Sequence, residues 1–208
     1  GKIICVGMNY KSHIDEQDGR FPKKPVLFSK ANSCIIKNNQ EIVYPEEVKE
    51  LDYEVELAVI IGKEARNINE DKAFSHVYGY TIINDITARD IQKNENQWYR
   101  AKSFDTFGPI GPKIVLNENI GNPQNLRLRS YVNGKLRQDS KTSEMIFSIK
   151  KLISYISSFL TLMPGDLIAT GTPAGVGLFT NGKNLLKPGD EVICEVEGIG
   201  KLVNNIKK

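Results

Sequence analysis

Cysteine is scarce in this sequence. The 208 residues include three cysteines, Cys5, Cys34 and Cys194, which are odd in number and lie far apart. This spacing excludes a disulfide framework and a Cys-x-x-Cys zinc site, and it indicates a reducing compartment. Long hydrophobic runs are missing as well, because no apolar stretch approaches the ~20 residues of a membrane helix. The first residues also lack the pattern of a signal peptide. We therefore expect a cytoplasmic protein with no membrane partner.

The excess of positive charge is small. Lys and Arg number 28 against 25 Asp and Glu, a net charge of +3, and the longest basic runs are pairs. Nucleic-acid-binding domains usually carry a larger and more clustered excess, so the composition argues against a nucleic-acid partner. With 40% hydrophobic and 25% charged residues, the composition is that of an ordinary globular protein. The length fits one domain, which we expect to span residues 1–208.

Short strands separated by turns dominate the pattern. Apolar runs and alternations predict strands at 3–7, 53–61, 78–84, 167–170 and, as the last strand, 191–197. The pair Asn133-Gly134 is typical of a β-hairpin turn. Helices are fewer: one short helix is expected from Thr87, and a longer one from a cap at Ser148 to about residue 159. The pattern predicts a mixed α/β fold that is mainly β.

Three carboxylates are candidate metal ligands. Glu54 and Glu56 are two residues apart in the clearest strand, so their side chains point to the same face. A divalent cation with a preference for oxygen would neutralise their repulsion. Asp85 follows the next strand and would supply a third oxygen. Taken alone, the glutamates could instead form a solvated strand face, and Asp85 could cap the next helix or pair with Arg89.

His13, Glu16 and Lys102 are candidate catalytic residues. In a helical segment His13 and Glu16 share a face, and a carboxylate beside an imidazole raises its basicity. A lysine near a divalent cation could stabilise an oxyanion. The alternatives are a surface histidine near an acid and an exposed lysine. Residues 15–25 form a polar loop that could close over the site as a lid. The glycine-rich stretch 170–177 allows close backbone approach to an anion but lacks the ending of a P-loop.

The order and spacing of these motifs resemble the fumarylacetoacetate hydrolase superfamily. The stretches that carry the resemblance run in the same order over about residues 3–200: GMNYKSH at 7–13, DYEVEL at 52–57, NDITARD at 84–90, AKSFD at 101–105, EMIFS at 144–148 and TGTPAGVG at 170–177. The short branch of acylpyruvate hydrolases and oxaloacetate decarboxylases is the most similar. One departure is Met8, where many relatives carry arginine, which removes a possible contact to an anion.

The resemblance implies a structure and a site. It implies a β-sandwich roll with a few short helices, a homodimer, and Mg²⁺ or Mn²⁺ as cofactor. The metal would be held by Glu54, Glu56 and Asp85, and the His13–Glu16 pair would lie on the segment that orders over the site. The substrate would be surrounded by Arg89, Gln92, Lys102 and Thr172.

The activity expected from this resemblance is hydrolysis of a carbon–carbon bond in 2,4-dioxo acids (acylpyruvates), giving pyruvate and a carboxylic acid. His13, oriented by Glu16, would take a proton from the attacking water, and Lys102 would stabilise the oxyanion. Oxaloacetate could lose CO₂ at the same site. The alternative enzyme is an isomerase or decarboxylase of 2-hydroxymuconate-type acids. A metal-binding module without catalysis is a further alternative, but it would need neither His13 nor Glu16 nor Lys102.

Overall fold

Strands dominate the computed structural model, which describes residues 1–180 and 182–208. These residues form, in chain order, β1 (Ile3–Gly7), β2 (Val26–Lys30), β3 (Ile35–Lys37), β4 (Glu41–Val43), β5 (Leu51–Asp52), β6 (Val55–Ile61), β7 (Val77–Asn84), β8 (Thr87–Ala88), β9 (Gly108–Leu116), β10 (Arg127–Val132), β11 (Lys135–Lys141), β12 (Leu167–Ala169), β13 (Glu191–Val196) and β14 (Gly200–Lys207). The α-helices are α1 (Lys11–Asp15), α2 (Arg89–Asn94), α3 (Tyr99–Lys102) and α4 (Ile149–Phe159). The prediction of a mixed, mainly β fold is confirmed.

A seven-stranded sheet has the order β2-β1-β12-β6-β7-β9-β3, with β6 at its centre. Both faces of β6 are almost fully buried. The reason is that a central strand has neighbours on both edges and other elements packed over both faces. Antiparallel pairing of β6 with β7 places Val55 opposite Asn84. This register brings the start of one strand beside the end of the other.

A five-stranded sheet, β11-β10-β13-β14-β4, packs over the first, with β10 and β13 against β6 and β13 against β7. The predicted hairpin is present: Asn133 and Gly134 join β10 to β11, both with positive φ. The prediction that residues 191–197 form the last strand is wrong. β14 follows after a tight turn at Gly198 and pairs antiparallel with β13.

The longest helix, α4, begins and ends as predicted. The Ser148 hydroxyl accepts a hydrogen bond from the Lys151 amide and caps it. Its apolar face, formed by Ile149, Leu152, Ile153 and Ile156, joins the core between the sheets. In the described part of the chain, no helix is long and apolar enough to cross a membrane. All three cysteines are buried free thiols, in agreement with the absence of a disulfide framework.

Two short strands bring the segments that carry the site together. β5 pairs with β8, with Asp52 opposite Thr87, so the segments before β6 and after β7 lie side by side. Because Thr87 belongs to this ladder, the following helix begins at Arg89 rather than at Thr87 as predicted. The six short 3-10 helices of the described chain lie in connections, at Asn32–Cys34, Glu70–His76, Asn117–Asn119, Pro123–Asn125, Thr142–Glu144 and Gly177–Phe179.

Candidate active site

Three buried carboxylates meet where β6 begins and β7 ends. Oxygen atoms of Glu54, Glu56 and Asp85 all lie within 4.8 Å of one another. They are almost fully buried, with residue exposures of 5%, 2% and 0%. The alternative of a solvated strand face is therefore wrong. The alternatives for Asp85 are wrong as well, because it caps no helix and its ion pairs go to Lys30 and Lys102 rather than to Arg89.

The electrostatics of this cluster suit a divalent cation. Burial raises the pKa of Glu56 well above its ordinary value, and the charges of Asp85 and Glu54 raise it further. Burial also acts to raise the pKa of Glu54, but Lys102 and Arg89 beside it lower that pKa to about 2. Buried oxygen ligands that repel one another are the donor set that Mg²⁺ or Mn²⁺ prefers. The residues present therefore fit such a metal.

Lys102 holds two of these carboxylates. Its Nζ lies 3.0 Å from Oε2 of Glu54, 2.8 Å from Oδ2 of Asp85 and 2.8 Å from the hydroxyl of Thr87. The ammonium has three hydrogens, and these three acceptors match them. Burial acts to lower the pKa of Lys102, but Asp85 and Glu54 raise it above the ordinary value. The alternative of an exposed lysine is wrong, since the residue is 2% exposed.

Arg89 links Glu54 to the rest of the site. Its Nε donates to Oδ2 of Asp52 at 2.8 Å, and its Nη2 lies 2.7 Å from Oε1 of Glu54. Its Nη1 donates to Oε1 of Gln92 at 3.0 Å. Asp52 also accepts hydrogen bonds from the amides of Gly177 and Leu178. Arg89 thus orients Gln92 and Glu54, while Asp52 ties Arg89 to the glycine-rich segment.

His13 and Glu16 form the predicted pair. Nδ1 of His13 lies 2.6 Å from Oε1 of Glu16, at the end of α1. The other carboxylate oxygen of Glu16 accepts a hydrogen bond from the Gly175 amide at 2.9 Å. The imidazole is therefore held through Nδ1, and Nε2 is the nitrogen left for proton transfer. The alternative of a surface histidine is wrong, because His13 is buried. That residues 15–25 act as a lid stays a prediction.

One cavity of about 200 Å³ brings these groups together. Seven of the predicted site residues line it: His13, Glu54, Glu56, Arg89, Gln92, Lys102 and Thr172. The other two, Glu16 and Asp85, do not line the cavity but contact His13 and Lys102, which do. The Thr172 hydroxyl donates to the Val55 carbonyl and accepts from Gln138. It can therefore face the cavity only as an acceptor.

The sequence did not single out several residues of the site. Trp98 and Phe28 form an aromatic wall of the cavity, with ring centroids 5.3 Å apart. A Cβ on Gly7 would approach the Trp98 ring to 2.5 Å, so a side chain at this position would displace the ring. Lys30, Asp52 and Gln138 are buried polar residues without a local pattern to reveal them. For Trp98, the signal was that it is the one tryptophan of the chain.

Comparison with known proteins agrees with this geometry. The mitochondrial oxaloacetate tautomerase Fahd2a of Rattus norvegicus is 46% identical over 99% of this chain, which spans 66% of that protein. A 2-hydroxyhepta-2,4-diene-1,7-dioate isomerase structure from Mycobacterium marinum superposes with a TM-score of 0.88 at 41% identity, over 99% of this chain and 74% of that one.

A fumarylpyruvate hydrolase of Pseudomonas aeruginosa, in a crystal structure with Mn²⁺ and pyruvate, also superposes. Its TM-score is 0.90 at 31% identity, and the match covers 100% of this chain and 89% of that one. The family profile described as fumarylacetoacetate (FAA) hydrolase C-terminal matches residues 2–207. The chain therefore belongs to the fumarylacetoacetate hydrolase family.

Proposed function

We propose that this chain is a divalent-metal-dependent enzyme of small 2-oxo acids whose main reaction interconverts the keto and enol forms of oxaloacetate. The observation that carries this proposal is the opening of the His13–Glu16 pair and the carboxylate cluster into one cavity. The identity to the rat oxaloacetate tautomerase supports the choice of substrate. Since the chain spans about two thirds of that relative, the activity of the whole relative is carried over only as a proposal.

Glu54, Glu56 and Asp85 would hold Mg²⁺ or Mn²⁺. When bound, the metal would supply Lewis-acid polarisation of the 2-oxo group of the substrate. Lys102 already holds Glu54 and Asp85, so its first role is to keep both carboxylates charged and in place. A direct contact between Lys102 and the substrate would require the ammonium to exchange one of its three acceptors. Its predicted role at an oxyanion stays part of the proposal.

The protein's own proton chemistry lies with His13. In enolisation a proton leaves C3 of oxaloacetate and a proton reaches the oxygen on C2, so the atoms balance without water or an oxidant. Nε2 of His13 takes the C3 proton, the carboxylate of Glu16 stabilises the imidazolium that results, and the imidazolium then gives this proton to the oxygen on C2. In the reverse direction the imidazolium returns the proton to C3. Gln92, oriented by Arg89, and Thr172 would position the substrate.

Hydrolysis of acylpyruvates is the second candidate. It is favoured by the likeness to the fumarylpyruvate hydrolase crystallised with Mn²⁺ and pyruvate. In that reaction His13 takes a proton from water, and the hydroxide adds to the distal carbonyl carbon. The C–C bond then breaks with its electron pair going to the pyruvate enolate, and the His13 imidazolium protonates the enolate carbon to give pyruvate beside the carboxylic acid. Loss of CO₂ from oxaloacetate and isomerisation of 2-hydroxymuconate-type acids share the enol chemistry. The isomerisation is favoured by the likeness to the Mycobacterium marinum isomerase.

The deciding experiment follows three reactions with Mg²⁺, with Mn²⁺ and with a chelator. These are the decay of enol-oxaloacetate absorbance, pyruvate release from acetylpyruvate, and CO₂ release from oxaloacetate. The proposal expects metal-dependent enol decay that is lost in His13→Ala. The matched control is His76→Ala, because His76 lies outside the site and contacts the carbonyl of Glu64.

The outcomes separate the candidates. Pyruvate release from acetylpyruvate without accelerated enol decay would make the hydrolase the function. An equal rate with chelator would contradict the metal-dependent scheme altogether. Three expectations stay predictions: that the chain forms a homodimer, that it lies in the cytoplasm, and that it folds as one domain over residues 1–208. The rat relative is named a mitochondrial protein.

A further inference from the structure

Gln138 links the second sheet to the site. It lies on β11, and it is 0% exposed. Its Oε1 accepts hydrogen bonds from the Val55 amide at 3.1 Å and from the hydroxyl of Ser130 at 2.9 Å. Its Nε2 donates to the Thr172 hydroxyl at 2.7 Å and to the Pro173 carbonyl at 2.8 Å. All four hydrogen-bonding positions of the amide are therefore filled.

The Val55 peptide is where this network meets the carboxylate cluster. Val55 lies between Glu54 and Glu56 in the chain, at the first position of β6. The neighbouring strand β12 pairs with β6 only as far as Ala169, opposite Ala58. Beyond that point the Thr170 amide still donates to the Leu57 carbonyl. At Val55 side chains take over: Gln138 accepts from the Val55 amide, and the Thr172 hydroxyl donates to the Val55 carbonyl. Both backbone groups of Val55 on this edge are thus held by two side chains that also hold each other.

We propose that Gln138 is a positioning residue that fixes the carboxylates of Glu54 and Glu56 in the geometry a divalent cation requires. This inference rests on the metal site of the proposed function. The orientation of the backbone at Val55 determines the positions of the Cα and Cβ atoms of Glu54 and Glu56, from which the two carboxylates extend. Ligand atoms must be held to within about 0.5 Å for a metal site to work well. Gln138 connects this peptide to Thr172, and the neighbouring Gly171 amide donates to Oε2 of Glu56 at 2.7 Å.

A purely structural role makes a different prediction. Gln124 is a second bridging amide, whose Nε2 donates to the Thr142 carbonyl and whose Oε1 accepts from the Ile149 amide. It connects elements remote from the carboxylate cluster. The same substitution at Gln124 removes these two hydrogen bonds to the backbone and leaves those of Val55 and Thr172 in place. If Gln138 only stabilises the fold, both substitutions should affect metal affinity alike.

The experiment is calorimetric titration of the full metal-free chain with MnCl₂, for wild type, Gln138→Met and Gln124→Met. Methionine keeps the length and removes both the donors and the acceptor. We expect the dissociation constant for Mn²⁺ to rise about 10- to 100-fold in Gln138→Met, as for other residues that orient metal ligands, and to stay at the wild-type value in Gln124→Met. Electron paramagnetic resonance of bound Mn²⁺ should show a changed spectrum in the first variant only.

Thr172→Val is the second variant, which keeps the shape and removes the hydroxyl bond to Val55. It should weaken Mn²⁺ binding in the same direction, and it decides the matter if Gln138→Met does not fold. Unchanged Mn²⁺ affinity in Gln138→Met, or in Thr172→Val where the first variant is unfolded, overturns the inference while leaving the proposed function intact. Equal weakening in Gln124→Met also overturns it. Failure of the wild type to bind Mn²⁺ overturns the inference together with the metal-dependent function.

Discussion

The Nζ of Lys30 lies 2.6 Å from Oδ1 of Asp85, and both side chains are completely excluded from solvent. Lys30 comes from the edge strand β2, whereas Asp85 follows the more central strand β7. The ammonium also donates to the Ile86 carbonyl at 3.2 Å. Asp85 therefore has two lysine partners, Lys30 and Lys102, on its two carboxylate oxygens. This arrangement holds a buried charge in a fixed orientation next to two like charges.

Removing Lys30 should destabilise the protein strongly. In Lys30→Met one of the two cations that compensate Asp85 is lost in a buried setting, and we expect a loss of about 3 kcal/mol in the free energy of unfolding. The control is Lys207→Met, because Lys207 pairs with Glu41 on the exposed surface and should cost less than about 1 kcal/mol. Urea unfolding of both variants measures the difference. Equal losses would show that burial of the Lys30 pair carries no special energy.

Substitutions in the His13–Glu16 pair should reduce turnover without affecting the metal. We expect His13→Ala to lower kcat by about 10²- to 10⁴-fold, because a positioned base contributes about that much. Glu16→Gln should have a smaller effect, since the amide can still hold the ring but stabilises the imidazolium less. Manganese affinity should be unchanged in both, as neither residue belongs to the carboxylate cluster. Steady-state kinetics and titration with MnCl₂ measure the two quantities, and a parallel loss of metal binding would contradict the separation of roles.

Neutralising one carboxylate of the cluster should abolish the stabilisation by bound metal without lowering the stability of the metal-free protein. Glu56→Gln keeps an oxygen that can accept from the Gly171 amide but removes one of three close negative charges. The metal-free variant should therefore be at least as stable as the metal-free wild type. At a metal concentration of about 100 Kd the wild type should gain about 2.7 kcal/mol, and the variant should gain none. Thermal unfolding with and without MnCl₂ tests this, and a wild-type gain in the variant would remove Glu56 from the ligand set.

Asp166 should contribute stability that depends on pH. Burial acts to raise the pKa of Asp166, but hydrogen bonds from Lys2 and the Met163 amide outweigh it and lower that pKa below the ordinary value. A carboxyl with a depressed folded-state pKa stabilises the protein above its unfolded pKa of about 3.9, and the contribution is lost as the pH falls through the folded pKa. Asp166→Asn should thus lose about 1.5 kcal/mol near neutral pH and progressively less in acid.

Urea unfolding across this pH range, with Asp71→Asn at an exposed carboxyl as control, measures the Asp166 contribution. A difference between wild type and Asp166→Asn that stays constant into acid would show that the charge of Asp166 is not what stabilises the turn before β12.

Local patterns predicted the parts of the fold and site that depend on neighbouring residues. The Asn133-Gly134 hairpin and the cap at Ser148 are short-range features, and the structure shows both. The i, i+3 spacing of His13 and Glu16 likewise brought the two side chains together. The final strand β14 was not predicted: it follows a tight turn with positive φ at Gly198 and begins at Gly200.

Long-range partners could not be predicted in this way. Lys30 meets Asp85 across 55 residues, Asp52 meets Arg89 across 37, and Gln138 meets Val55 across 83. None of these side chains stands in a periodic pattern that marks it, because the partner is set by sheet order and register. The burial of both faces of β6 has the same origin, since it follows from the strand's central place in the sheet.

The amino-acid sequence by itself determined which chemistry is present: two glutamates on one side of a strand, an aspartate after the next strand, and a histidine one helical turn from a glutamate. The spacing of residues along a strand or helix decides these relations, and such spacing is local. Only the tertiary structure decided that these groups are buried together, that Lys30, Lys102 and Arg89 offset their charge, and that Gln138 holds the peptide between Glu54 and Glu56. The physical reason is that burial and charge compensation depend on which strands become neighbours, and that is settled by the packing of the whole chain.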